Sequence, residues 1–510
     1  MTRRGSLGSF WLMVALAAAT GLQAQALRVT TDSGVLVGSA EAGTVVFRGV
    51  PYASAPVGSL RWAQPQPAKA WTSERPATAY GANCPQKLSA DGSPNSGGAL
   101  GPISEDCLFL NVWAPVKASK APVMVWLHGG GNNTGAGSLG AYEGGAFIRD
   151  GVVLVTLNYR LGALGFFAHP ALTNAARPGD PLVNYGLMDQ IQALQWVKRN
   201  IAAFGGDPTN VTLFGESAGG QDALLLLTAP SAQGLFSKAI VESGGGWGQM
   251  GSLAKREAQD EALIRSAGAP PNATIDQLRA LPMSKLVNLS TFRGGPAVDG
   301  RLILETPRDA FSFGHYAHVP LIIGSNSFEA SLLKSMGVST ETALAAAPIA
   351  LKDAYSDVPG DKARTEALFT DGVMGAPARW IASKASRNPS FLYHFAYVAE
   401  IQRGTTPGAG HATEIPFVFS SWNSLGAVGG GVKPTSADLA MTDRLHGCWV
   451  SFARTSIPMC PNSPTWPSYS HENDELMDFD TSTDLKRHFQ QRHYEAQESI
   501  QLSSAKSPSN

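Results

Sequence analysis

The chain has 510 residues, of which 44% are hydrophobic and 15% charged, and its formal net charge is −1. This apolar content with so few charges excludes an intrinsically disordered chain and is ample for a large buried core. The near-neutral charge does not favour nucleic acid or an anionic membrane surface as a partner, because both attract an excess of lysine and arginine.

The first 26 residues have the features of a secretory signal peptide. Arg3 and Arg4 form a positive start, Phe10 to Ala19 is a short apolar run, and Ala24 to Ala26 is an A-x-A cleavage site. The run is short for a membrane span of about 20 residues, which favours cleavage over an uncleaved anchor. We predict a signal peptide at residues 1–26, a secreted or periplasmic protein, and no membrane span in the rest of the chain.

Four cysteines, Cys84, Cys107, Cys448 and Cys460, fit the oxidising compartment that a signal peptide implies. Of the three possible pairings, proximity in the sequence favours Cys84–Cys107 and Cys448–Cys460, and four free buried thiols are the alternative. Closing the first loop would stabilise the fold by about 3 kcal/mol in the chain-entropy model. The chain has no C-x-x-C motif and no His/Cys cluster with metal-ligand spacing, so we expect no metal and no cofactor.

Strand patterns recur along the chain. Residues 27–50 alternate apolar and turn residues, which predicts antiparallel strands at the edge of a sheet. Continuous apolar runs follow at Pro122–Leu127, Val152–Leu157, Ala239–Val241 and Leu321–Ile323. Such runs are typical of parallel strands that are buried on both faces.

Helical segments alternate with these strands. Asp189–Phe204 has one apolar stripe and predicts an amphipathic helix. Two Ala-rich segments, Leu253–Asp299 and Ser331 to about Ser390, are interpreted as helical insertions that cap the site. The alternation predicts an α/β fold with a large, mostly parallel sheet covered by helices on both faces. We predict one domain over residues 27–497 and a polar, fraying tail at 498–510.

A glycine run, His128-Gly129-Gly130-Gly131, follows the buried strand that ends at Leu127. It leaves backbone N–H groups uncovered, as an oxyanion requires, although a flexible loop is the alternative. The run matches the H-G-G-G motif of lipases and esterases. His128 is expected to shape the run.

Gly215-Glu216-Ser217-Ala218-Gly219 holds a candidate nucleophile. It follows the apolar run Val211–Phe214 and precedes a run of good helix formers. Strand, sharp turn and helix are the context in which G-x-S-x-G forms a nucleophile elbow, and a glycine-rich structural turn is the alternative. The following helix would direct its free N–H groups and positive dipole end at Ser217.

The acid and the base of a triad should follow the serine, because the order on this fold is Ser, Asp or Glu, then His. Glu329 comes just past a buried strand, where catalytic groups collect, and a solvated loop carboxylate is the alternative. His411 lies among small residues that leave an imidazole room to reach a serine. His394 is expected in the core, and His488 and His493 on a solvated helix.

The chain resembles the type-B carboxylesterase/lipase family, the cholinesterase-like branch of the α/β-hydrolases, over about Val29 to Tyr469. The matching segments are Gly49–Ala53, Ser104–Leu108, Asn158–Gly162, Asn184–Leu187, Phe204–Pro208, Gly215–Gly219, Val298–Gly300, and His411 with Glu414–Pro416. The resemblance, which looks bacterial, implies an α/β-hydrolase fold and ester hydrolysis through an acyl-enzyme. It implies Ser217 as nucleophile, His411 as base and Glu329 as the acid.

The resemblance also implies supporting roles for other residues. The oxyanion N–H groups would come from Gly130, Gly131 and Ala218. The family's first disulfide matches Cys84–Cys107, whereas Cys448–Cys460 rests on proximity alone. The family's structural ion pairs match Arg61–Glu105 and Arg160–Asp189.

Three residues are candidates for the substrate pocket. Asn132, with Asn133, stands where the family often has an aromatic residue, which predicts a roomier or more polar acyl side. Glu216 is expected to be a partly buried carboxylate that tunes the imidazolium, and a solvated elbow position is the alternative. Trp247 is a candidate pocket wall, with a core position as the alternative.

The expected substrate is a small-molecule ester. An amidase or a transacylase could use the same triad, because the shape of the pocket sets the leaving group and the acceptor. A non-catalytic binding protein of this fold is a further alternative, but such proteins lack a triad group and here all three are present. The sequence leaves the acyl and alcohol parts of the ester open.

Overall fold

The structure, a computed structural model, describes residues 27–41, 43–91, 93, 95, 97–248, 250–289, 294–385, 387–422 and 433–504. The predicted signal peptide and the last six residues lie outside these ranges. The strands are β1 Leu27–Thr31, β2 Gly34–Glu41, β3 Thr44–Pro51, β4 Arg75–Pro76, β5 Phe109–Pro115, β6 Ala121–Leu127, β7 Val153–Leu157, β8 Gly206–Glu216, β9 Lys238–Glu242, β10 Leu321–Asn326, β11 Ser390–Phe395, β12 Glu475–Phe479 and β13 Thr483–Arg487.

The first nine helices are α1 Gly145–Arg149, α2 Gly162–Gly165, α3 Pro170–Ala175, α4 Tyr185–Asn200, α5 Ala218–Thr228, α6 Leu253–Ile264, α7 Ile275–Arg279, α8 Met283–Val287 and α9 Pro307–Phe313. The next are α10 Leu332–Met336, α11 Thr340–Ala346, α12 Ile349–Ala354, α13 Asp361–Thr370, α14 Ala376–Lys384, α15 Ile415–Phe419, α16 Ser436–Thr455 and α17 Gln491–Ser504. A π-helical turn, Asp371–Gly375, joins α13 to α14.

Within the described residues, the strands form one sheet in the order β1-β2-β3-β5-β7-β6-β8-β9-β10-β11-β12-β13, with β4 beside β2. The seven strands from β7 to β12 run parallel, and antiparallel strands lie at both edges. This confirms the predicted α/β-hydrolase fold, including the antiparallel edge formed by residues 27–50.

The central strands are buried on both faces, as their uninterrupted apolar sequences predict. Every residue of β7, β9 and β10 is buried. One hydrophobic cluster packs on each face: Trp196 belongs to the first and Trp449 to the second. The helices therefore sandwich the sheet, and the strand ends carry the loops described below.

The predicted helix over residues 189–204 begins earlier and changes type before its end. Its α-helical part is α4, and Ile201–Phe204 continues as a 3₁₀ turn. Gly205 then adopts φ +83°, a left-handed conformation that commonly ends a helix. The chain enters β8 directly after this turn.

The C-terminal helix extends into the region for which the sequence predicts a fraying tail from residue 498. Helix α17 runs to Ser504, and Glu498 within it forms an ion pair with Arg379 at 2.7 Å. Residues 498–504 are thus helical and, at Glu498, tied to α14. The polar composition gave no hint of this contact, because its partner lies 119 residues away.

Disulfides and ion pairs link loops to one another and to helices. Disulfides join Cys84 to Cys107 and Cys448 to Cys460. The Arg61 guanidinium pairs with Glu105, and Arg160 pairs with Asp189 at 2.7 Å with both side chains buried. Among the described residues, no helix is long and apolar enough to cross a membrane.

Candidate active site

Ser217 lies at a sharp turn between β8 and α5. Its φ of +56° and ψ of −122° are unusual for a residue with a side chain. The turn requires glycine on both sides: a Cβ on Gly215 would come within 2.8 Å of the Leu127 carbonyl oxygen, and one on Gly219 would overlap that carbonyl. The backbone N–H of Ser217 donates to the Glu242 carbonyl at 2.9 Å. The serine is therefore held by the two adjacent strands and presented at the N-terminus of α5.

The glycine run forms a tight turn facing this serine. Gly130 and Gly131 have φ values of +102° and +63°, and the Gly130 carbonyl accepts hydrogen bonds from the N–H groups of Asn133 and Thr134. Gly131 and Ser217 line the same cavity. Ala218 also lines it from the first position of α5, where an N–H group has no partner within its helix.

His128 lies at the start of the glycine run and away from proton transfer. Its ring is buried, contacts the Gly129 carbonyl at 2.8 Å through Nδ1, and stacks on Tyr159 with 4.4 Å between ring centroids. Burial lowers the pKa of His128 to about 4. A neutral ring fixed in this way shapes the run, as the sequence led us to expect.

His411 and Glu329 form a short hydrogen bond, 2.6 Å from Nδ1 to Oε2. The loops that carry them are joined by a parallel bridge between Phe328 and Gly410. The other Glu329 oxygen accepts from Ser243 Oγ at 2.5 Å and from the N–H of Asn326 at 2.8 Å. The carboxylate is fully buried and thus holds the imidazole in one orientation.

Glu216 lies on the other side of the imidazole. Its Oε1 is 3.1 Å from His411 Nε2, and its side chain is 4% exposed. Burial raises the pKa of Glu216 to about 8, although the charge of His411 lowers it. Burial alone would lower the pKa of His411, but Glu216 and Glu329 raise it to about 10. The imidazole therefore lies between two carboxyl groups. The contact between Nε2 and Glu216 Oε1 is an ion pair without hydrogen-bond geometry, and Nε2 has no hydrogen bond among the described residues.

Two more buried carboxyl groups, Glu242 and Glu414, lie close enough to Glu216 for their charges to interact with it. Glu242, at the end of β9, accepts from the Trp449 indole at 2.7 Å, and burial raises its pKa well above the usual range. Glu414 accepts from the Asn326 amide, and burial raises its pKa to about 7. Glu414 also helps to raise the pKa of His411, so three carboxyl groups favour the imidazolium form of this residue.

A cavity of about 400 Å³ opens in front of Ser217. Trp247 is part of its wall, 5% exposed, and its indole donates to the Gly372 carbonyl in the π-helical turn at 3.0 Å. Val373 and Met374 from this turn and Gln501 from α17 also line the cavity. Three segments that are distant in the sequence, namely the loop after β9, the π-helical turn and α17, therefore contribute to the wall of the cavity that Ser217 lines.

Asn132 does not line this cavity, contrary to the sequence-based expectation. Its side chain is 1% exposed and donates to Asp222 on α5 at 3.0 Å, and its φ is +57°. The left-handed backbone after Gly131 turns the amide away from the substrate side. Asn133 instead lines a separate cavity of about 280 Å³ with Leu161 and Leu289.

The three other histidines that the sequence analysis placed lie in different environments. His394 is in β11 and contacts Asp478 at 2.8 Å, and His488 is half exposed before α17. The prediction for His493 is wrong: it is 6% exposed and stacks on Tyr355 with 4.0 Å between centroids. A polar helix near the chain end gave no signal for this burial, because Tyr355 lies in the distant capping insertion.

Sequence reasoning missed Ser243, Val373, Met374 and Gln501. Ser243 follows β9 at the same sheet end as Ser217, and that position after a buried strand could have identified it. The other three have no comparable signal, because neither motif nor strand end precedes them. Their place at the cavity depends on how the insertions pack.

The chain matches known esterases over nearly its full length. A sequence profile described as the carboxylesterase family matches residues 25–356 and 350–497. The fumonisin B1 esterase of Sphingopyxis macrogoltabida is 34% identical, over 93% of this chain and 91% of that protein. The para-nitrobenzyl esterase of Bacillus subtilis (strain 168) is 35% identical, over 90% and 96%. A solved PNB esterase structure superposes with a TM-score of 0.82 at 32% identity, covering 92% of this chain and 99% of that chain.

Proposed function

Since this chain belongs to the carboxylesterase family and hydrolyses carboxylic esters, we propose that Ser217, His411 and Glu329 are its catalytic triad. The observation that carries this assignment is the 2.6 Å bond between His411 Nδ1 and a fully buried Glu329. It leaves Nε2, which lies 3.1 Å from Oε1 of Glu216, the residue before Ser217, as the ring nitrogen for proton transfer. A general base oriented by a carboxylate next to an elbow serine is the arrangement that acyl transfer requires.

The first half of the reaction forms the acyl-enzyme. His411 Nε2 takes the proton of Ser217 as Oγ attacks the ester carbonyl, and the N–H groups of Gly130, Gly131 and Ala218 bind the oxyanion. The imidazolium then gives its proton to the leaving alcohol. Glu329 keeps the ring in the required tautomer throughout.

The second half frees the acid. Water loses a proton to His411 Nε2 and attacks the acyl carbonyl, and the same N–H groups bind the second oxyanion. The proton returns to Ser217 Oγ as the acyl bond breaks. Glu216, 3.1 Å from Nε2, stabilises the imidazolium in both halves.

The test is hydrolysis of p-nitrophenyl acetate through decanoate by the mature chain and by Ser217→Ala. We expect turnover by the unmodified chain and a loss of about 10⁴-fold or more in the variant, with an unchanged circular dichroism spectrum. Retained turnover in Ser217→Ala would reject the assignment. A matched p-nitroanilide series separates an esterase from an amidase with the same triad, and we expect the esters to react far faster.

We also propose that residues 1–26 direct secretion and that residues 27–497 form one catalytic domain. Two disulfides support an oxidising compartment. Expression in a bacterial host followed by fractionation and N-terminal sequencing tests the first point. A mature chain that starts at Leu27 outside the cytoplasm is expected, and an intact, cytoplasmic N-terminus would contradict it.

A further inference from the structure

The side chains of Asn132, Asp222 and Gln190 form a buried hydrogen-bonded bridge next to the proposed oxyanion hole. Asn132 Nδ2 donates to Asp222 Oδ1 at 3.0 Å, and Gln190 Nε2 donates to Asp222 Oδ2 at 2.6 Å. The three side chains are at most 1% exposed. Neither the triad nor the cavity wall includes them.

The bridge joins two chain segments that supply oxyanion donors. Asn132 directly follows Gly131, and Asp222 lies four residues after Ala218, which is about one turn along α5. The Asn132 carbonyl also accepts from the N–H of Gly162 at 2.8 Å, which fixes the residue from a second side. A change in this bridge therefore changes the separation of the two segments.

The chemistry of the bridge argues against simple space filling. A buried carboxyl group with only neutral amide partners costs free energy, whereas an apolar side chain would fill the same volume without that cost. Burial raises the pKa of Asp222 to about 7, while the two amides lower it. Asn132 Oδ1 and Gln190 Oε1 have no partner among the described residues, so both amides are oriented by the carboxyl group alone.

We propose that Asp222 is a positioning residue that, through Asn132, fixes the Gly130–Gly131 turn relative to Ala218 and so sets the geometry of the oxyanion hole. This inference rests on the proposed function of those N–H groups. Because a misplacement of about 1 Å can cost 10²-fold in rate, losing the bridge should lower kcat and leave KM nearly unchanged.

A swap of the two side chains tests the proposal. Asn132→Asp alone places two carboxyl groups face to face and should lower kcat about 10- to 100-fold. Asp222→Asn alone should cost less than about 3-fold, because the new amide can donate to the unpartnered Asn132 Oδ1. The double variant reverses the direction of the bond and should recover kcat to near the Asp222→Asn value. Asp and Asn both tolerate the left-handed backbone at position 132.

Asp222→Leu separates positioning from packing. The leucine side chain fills the space of the carboxyl group but cannot form the two hydrogen bonds. If the bridge sets the geometry of the oxyanion hole, kcat should still fall about 10-fold or more. Affinity for a trifluoromethyl ketone, which forms an oxyanion adduct with a serine, should fall in parallel, whereas KM for p-nitrophenyl butyrate should not. Asp260→Asn, at a buried carboxylate on α6 outside the site, is the control for lost stability alone.

Normal kcat in a folded Asp222→Leu variant would overturn the proposal, as would a double variant no better than Asn132→Asp. If Asn132→Asp does not fold, Asp222→Leu and its inhibitor constant decide the question. Failure of the triad assignment would be seen separately, as turnover in Ser217→Ala.

Discussion

The cavity has two walls of different origin. On one wall, Gly131 and Ser217 come from the turns that follow β6 and β8. Glu329 and His411, which do not line the cavity themselves, lie on the loops after β10 and β11. On the other, Trp247 comes from the loop after β9, Val373 and Met374 from the π-helical turn, and Gln501 from the C-terminal helix. The proposed catalytic groups therefore depend mainly on where the strands of the sheet end, whereas the rest of the cavity depends on how loops and helices that are distant in the sequence pack together.

Among variants of the catalytic groups, we expect Glu329→Gln to have the largest effect on kcat. The amide would present an N–H to Nδ1, favour the wrong tautomer and lower kcat by roughly 10³- to 10⁴-fold. Steady-state kinetics on p-nitrophenyl butyrate measure it. Ser331→Ala, which removes only a hydrogen bond to the His411 N–H, should cost far less. Equal losses in both variants would contradict an orienting role for the carboxylate.

A side chain at Gly131 should have the next largest effect. Its φ of +63° disfavours a β-branched residue, and the added group would project where the oxyanion binds, so Gly131→Val should lower kcat about 10²- to 10³-fold. Gly131→Ala should be milder, because a Cβ there meets no atom closer than 4.0 Å. Near-normal kcat in Gly131→Val would show that this turn is not part of the oxyanion hole.

Glu216→Gln should change the pH dependence more than the maximal rate. The carboxylate raises the pKa of His411, and turnover requires the neutral imidazole, so activity is lost as pH falls through that pKa. Removing the charge lowers the pKa and should shift the acidic limb of kcat/KM downward by about 1 pH unit. Glu261→Gln, at a carboxylate in α6 outside the site, is the control. An unmoved or raised limb would contradict this electrostatic role.

Changes on the second wall should be smallest and should alter selectivity. Trp247→Ala enlarges the cavity and should raise the ratio of kcat/KM for octanoate over acetate about 3- to 10-fold, with little loss on acetate. Trp247→Phe keeps an aromatic ring but removes the hydrogen bond to Gly372. It therefore distinguishes the effect of the ring that lines the cavity from the effect of the hydrogen bond that holds it. A loss that is uniform across chain lengths would show that Trp247 supports the catalytic wall instead.

The sequence predicted the first wall better than the second, for physical reasons. Buried parallel strands produce continuous apolar runs, and the elbow needs glycine at 215 and 219, so both leave a local signal. Asn132 was misplaced because its left-handed backbone and its partner on α5 appear only in the folded chain. His493 was misplaced because its ring is covered by Tyr355, 138 positions earlier in the sequence.

The C-terminal helix also depends on contacts with residues that are distant in the sequence. Its polar composition predicts fraying, but Glu498 is fixed by Arg379 and Gln497 donates to the Leu368 carbonyl at 3.1 Å. These contacts depend on the orientation of α13 and α14, which no local pattern encodes. Segments of this kind supply part of the second wall, through Val373, Met374 and Gln501.

The most direct test of the central claim is labelling with diisopropyl fluorophosphate followed by peptide mass spectrometry. We expect one phosphoryl group per chain, located on Ser217, with esterase activity lost in proportion to the fraction labelled. The Ser217→Ala variant should not be labelled by the same reagent. Full labelling at Ser217 with activity retained, or loss of activity with the adduct on another residue, would contradict the assignment of Ser217 as the nucleophile.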